Sequence, residues 1–107
     1  MILRLLALAA LVMVTGCGPI QSTSYLIDAQ VALEAAKTAQ ANKLAPYEWT
    51  AANLYLHKAR EEVGYSEFEQ AVAYAAKASK YANAARDVAM KAVRKDEPNQ
   101  PGATPTP

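Results

Sequence analysis

Cys17 is the only thiol and His57 the only imidazole among 107 residues, so the chemistry open to this chain is narrow from the start. A single cysteine leaves the folded region no internal disulfide, and it must cohere by packing. His57 falls in a stretch read below as helical, four residues from both Asn53 and Glu61, which opens an acid–base pair or a metal site on geometric grounds. Two ligands of unlike type without a third do not make a zinc site, and an ion pair or a solvated helix face is the better reading. Glu61 and Glu62 are adjacent and point to different parts of a helix surface. No glycine-rich phosphate loop and no Ser-His-Asp order is found. The expectation is therefore a chain that is not an enzyme, with no catalytic residues, no metal and no cofactor. Tyr74 and Tyr81, seven apart, raise one further option, a stacking surface for glycan or peptide. The simpler reading has such tyrosines filling the spaces beside alanines with their hydroxyls in water, and it is preferred.

The surroundings of Cys17 are more specific. Arg4 supplies a positive start, residues 5 to 14 an apolar run, and Val14-Thr15-Gly16 leads into the cysteine. This layout resembles a bacterial lipoprotein signal. The apolar run is shorter than the ~20 residues of a spanning helix and stops at Thr-Gly-Cys-Gly-Pro, which disfavours a membrane span. The resemblance implies cleavage after Gly16, acylation of the Cys17 thiol and of the new amino terminus, and loss of residues 1–16 from the mature chain. Cys17 would then tie the protein to a lipid bilayer. Two or more acyl chains hold stably, at ~0.8 kcal/mol per buried methylene. By resemblance to enterobacterial lipoproteins, Gly18 rather than Asp after the cysteine favours the outer membrane, with the protein facing the periplasm, over the inner membrane or the cell surface.

Beyond a lipidated linker at 17–22, residues 23–95 read as one helical domain and 96–107 as a proline-rich tail. Four of the six prolines fall in the last ten positions, and Pro, Gly and Thr there cannot bury enough surface to offset the entropy of ordering. The tail is expected to be disordered, with polyproline-like stretches. A tether or a short ligand for a partner's groove is one reading, but no PxxP element with basic flanks is present and a plain solvated tail is preferred. Without Arg4, the remaining 10 basic residues match the 10 acidic ones, so no global field draws the chain to nucleic acid. Acidic residues gather toward the first part of the domain and basic ones toward the end of the last helix, which suits helix dipoles.

Three helices are expected. Ser22, Thr23 or Ser24 caps the first, over residues 25 to about 41. Residues 42–45 break it. Pro46 at a first helical position and Glu48 in the first turn begin the second, which Gly64 ends. Ser66 with Glu69 three residues on forms a capping box for the third, which runs to about Lys95 and, being longer than its partners, projects from them. Phe68, Ala71, Ala75, Ala78, Ala82, Ala85, Ala89 and Ala92 follow alternating steps of three and four, the spacing of a seam that faces another helix. Ala29, Ala32, Ala36 and Ala39 continue the theme on the first helix, and Trp49, Ala52, Leu56, Ala59 and Val63 form a stripe on the second. Small side chains let helix axes approach closely but bury little surface, so stability must lean on Leu26, Leu33, Leu44, Trp49, Leu54, Leu56, Phe68 and Val72. The fold class is all-α: a short antiparallel three-helix bundle, its second and third helices similar to a tetratricopeptide hairpin.

The lipobox, the alanine-spaced first helix, Ala45-Pro46-Tyr47-Glu48, then Ala52, Tyr55, Lys58-Ala59 and Tyr65 with Ala71, Ala75 and Ala78 resemble the small alanine-rich bacterial lipoproteins of the domain-of-unknown-function 4398 family. The resemblance covers about residues 17 to 93. It implies a periplasm-facing helical domain of the Gram-negative envelope, in a family whose members sometimes accompany OmpA-like peptidoglycan-binding modules, and it brings no catalytic residues. The expected function is a lipid-anchored interaction or scaffold module whose partner is an envelope protein, with OmpA-like proteins as one class of candidate. The alternative is structural: the alanine seam zips identical chains together, as in the murein lipoprotein, in non-covalent association with peptidoglycan. Pro46 and Gly64 divide the helical region in a way a continuous zipper does not tolerate, which ranks the folded-back domain first.

Overall fold

The computed structural model describes residues 1–13 and 17–96. Val14, Thr15 and Gly16, the expected cleavage motif, lie outside the described residues, and so does the expected tail beyond Asp96. Among the described residues the chain is all-helical: α1 (Ile2–Met13), α2 (Cys17–Thr38), α3 (Ala41–Leu44), α4 (Pro46–Gly64) and α5 (Phe68–Asp96).

Among the described residues α1 packs against none of the other helices. Its Ile2, Leu3, Leu5, Leu6 and Leu8 are all exposed. α2 begins at Cys17 and not near Tyr25, because Pro19 falls in the first turn, where a missing amide forfeits no hydrogen bond and a fixed φ suits the helix. Ser22 and Thr23 accordingly do not cap it. Their hydroxyls donate back to the Pro19 carbonyl at 3.0 and 2.9 Å, and Ser22 is buried.

The break between the first two long helices also shifts. Gln40 takes the left-handed conformation at φ 63°, its amide donates to the Lys37 carbonyl, and its own carbonyl accepts from Lys43 and Leu44 to start the single turn of α3. That turn persists where a plain break was expected because Ala41 and Ala45 are buried against Ala36, Ala85 and Ala89. Pro46 then opens α4 with Glu48 in its first turn.

At the far end of α4, Gly64 is still helical and Ser66 is the left-handed residue, at φ 60°. The Ser66 amide donates to the Val63 carbonyl at 3.0 Å and the Glu67 amide to the Glu62 carbonyl at 2.8 Å, the two bonds of a Schellman stop. Ser66 therefore does not cap α5. The Glu67 carbonyl accepts the amide of Ala71 and occupies the cap position, so the expected Ser66–Glu69 capping box is absent: a capping serine needs extended backbone, and Ser66 is committed to ending the helix before.

α2, α4 and α5 pack against one another pairwise. Ala29 and Leu33 meet Ala52 and Leu56 of α4 and Ala78 and Ala82 of α5 in one cluster. Ala36 joins Ala41, Ala45, Ala85 and Ala89 in the next, with Trp49 touching both. Residue numbers rise together along α2 and α5 and fall along α4, so α4 runs against its two neighbours. Among the described residues Leu33 and Leu56 are the only large buried apolar side chains; the other buried apolar residues are alanines. Leu26, Leu44, Trp49, Phe68 and Val72 are half-buried. Leu54 is 56% exposed and does not belong to the core, since two residues on from Ala52 it is turned about 200° away from the buried stripe. Burial along α5 ends at Ala89, and Met90 and Val93 beyond it are exposed.

Candidate functional site

Cys17 is the first residue of α2. On α4, the neighbours that His57 was read against are engaged elsewhere. Glu61 pairs with Lys58 at 3.5 Å, and the Asn53 amide donates to the Trp49 carbonyl at 2.9 Å. His57 is exposed, and among the described residues no three metal-ligating side chains come together.

The alanine seam is spent within the chain. Ala71, Ala75, Ala78, Ala82, Ala85 and Ala89 have no exposure at all, while Phe68 and Ala92 at its two ends are half-buried. The middle of the seam is covered by α2 and α4 of the same chain, because methyl-sized side chains admit both helices close against α5.

What the chain does present is a tyrosine face along α4 and α5. The Tyr55 ring stacks on Tyr74 with centroids 6.0 Å apart and planes 27° apart, and on Tyr81 at 5.5 Å and 12°. Lys77 lies between those two on α5 and holds its ammonium 5.4 Å from the Tyr55 centroid, a cation–π distance. Tyr47 stands next in line. The Tyr81 phenol is held above its ordinary value of 10.0, chiefly because the neighbouring Tyr47 hydroxyl, and then that of Tyr55, resists a second negative charge. Beside these rings runs an open groove of about 590 Å³ lined by Pro46, Tyr47, Thr50, Ala51, Leu54, Tyr55 and Tyr81.

Tyr74 and Tyr81 do come together, through a ring that sequence reasoning left out. Tyr55 and Tyr47 had a signal available: Tyr47, Ala51, Leu54, Tyr55 and Lys58 recur at helical spacing on a second face of α4. Only the approach of α5 reveals that this face meets Tyr74, Lys77 and Tyr81.

Helices packed through alanine, with a stacked tyrosine face along α4 and α5, make up a small all-α domain. The chain belongs to the family described as "Domain of unknown function (DUF4398)", whose model matches residues 24–101. No curated protein and no solved structure matches it.

Proposed function

We propose that this is a lipid-anchored protein of the bacterial cell envelope, acylated at Cys17 and held at the periplasmic side of the outer membrane. Its helical domain works as a non-enzymatic interaction or scaffold module. In this reading α2, α4 and α5 act as a self-contained antiparallel three-helix bundle, with α4 and α5 in the manner of a tetratricopeptide hairpin, and the partner is another envelope protein, OmpA-like proteins being one class. The observation that carries the proposal is the pairing of α1 with Cys17. An apolar helix whose described side chains, residues 2–10, are all exposed precedes the chain's sole cysteine in sequence, as expected of a segment that is read during export and then removed. Among the described residues no helix is long and apolar enough to cross a membrane; in this reading the acylated cysteine attaches the protein to a bilayer.

The enclosed seam weighs against the zipper alternative and moves the interaction surface to the tyrosine face. Substituting Cys17→Ala tests the anchor: palmitate labelling should disappear and the protein should leave the membrane fraction. Membrane fractionation that does not change would overturn the anchor.

A further inference from the structure

Tyr47 and Leu54 are 71% and 56% exposed and stand on the rim of one groove with Tyr55 and Tyr81. Tyr55 is clamped between Tyr74 and Tyr81, so part of the aromatic wall is set before any ligand arrives and little ordering entropy is lost on binding. None of the residues lining the groove is charged. Fixed aromatic rings with phenol donors beside a neutral trough suit a polyproline-II strand: proline rings lie on the aromatic walls, and the strand's carbonyls, which have no internal hydrogen bonds, accept from the phenols.

Such a segment is encoded in the same chain, directly after α5. Pro98, Pro101, Pro105 and Pro107 punctuate a stretch with no charged side chain from 98 to 107, so no side-chain charge is desolvated when it enters the groove. The reach is sufficient. Ala89 of α5 shares a cluster with Ala45, the residue before Pro46, which puts the Tyr47 end of the groove about 10 Å of helix short of Asp96. From Tyr47 to Tyr55 is about 12 Å further along α4, whereas the eleven residues after Asp96 span about 34 Å as polyproline II. A segment folding back from Asp96 would run along α4, meeting Tyr47 first and Tyr55 later.

We propose that the Tyr47–Leu54–Tyr55–Tyr81 groove is a receptor for polyproline-II peptide and that its resident occupant is this chain's own segment 98–107. The proposal rests on the reading of this face as the interaction surface and adds its regulation: a partner must displace the tail. The test uses the full chain with Cys17→Ser and a spin label on Thr106→Cys. Amide signals of Tyr47, Leu54 and Tyr81 should lose intensity while those of Val31 on α2 keep theirs, and Leu54→Arg or Pro101→Ala with Pro105→Ala should restore them. Uniform signal loss along the chain overturns the proposal, and so does loss that vanishes on dilution with unlabelled protein, which would place the tail on a second copy. A photo-crosslinker at position 54 in living cells separates the two readings. Crosslinks to an envelope protein without tail contact keep the interaction surface and remove the tail, whereas tail contact without any such crosslink keeps the tail and removes the envelope partner.

Discussion

Ser66 stands at φ 60° where the Schellman stop of α4 requires a left-handed residue, while the glycine that would adopt this geometry freely sits two places earlier, inside the helix. A left-handed L-residue costs about 1–2 kcal/mol, and glycine in its place gives back about 0.5–1 kcal/mol through the unfolded chain. Ser66→Gly should therefore stabilise the domain by about 0.5–1 kcal/mol. Gly64→Ala should add a similar amount, because a methyl at Gly64 meets nothing within 4 Å and the helix loses its poorest former. Urea denaturation of the single and double variants checks this; a loss of stability in Ser66→Gly would show that the serine side chain itself holds the turn. Residue types alone marked Gly64 as the terminator, because a left-handed serine leaves no trace in composition.

At the scale of the helices, alternating steps of three and four laid out the α5 seam, and each of its six central alanines is fully buried. A seam of methyl groups has no room for a branched side chain. Ala78→Leu and Ala82→Leu should each cost about 1–3 kcal/mol in chemical denaturation, whereas Leu54→Ala, on the opposite face of α4 from the buried stripe, should stay within about 0.5 kcal/mol of the parent. Neutral results at both alanines would show that α2 and α4 do not close on α5. The stripe from Trp49 to Val63 was equally readable. Leu54 was not, because hydrophobicity without its angle around the helix does not say which way a leucine points. The start of α2 escaped for a related reason: Gly18 and Pro19 read as breakers, yet proline is tolerated in a first turn.

For the molecule as a whole, two buried leucines and an alanine core give modest stability with a fully occupied seam. A chain beginning at Gly18 should sediment as a monomer across a wide concentration range, because the surface that would zip copies together is already covered by α2 and α4. A concentration-independent dimer or trimer would transfer the seam to a subunit interface and bring the structural alternative forward. The exposed apolar side chains of α1 bear on the same question from the other side, since residues 1–10 contribute nothing to the buried core and their removal should leave it closed.

Helical class, the period of each buried stripe and the singular position of Cys17 all followed from local rules, because helix periodicity, proline and glycine placement and a lone thiol act over a few residues. The Tyr55–Tyr74–Tyr81 stack, the groove beside Tyr47 and the enclosure of the seam depended on which faces α2, α4 and α5 turn toward one another. That choice is made by the joint packing of residues far apart in the chain, and no window of sequence contains it.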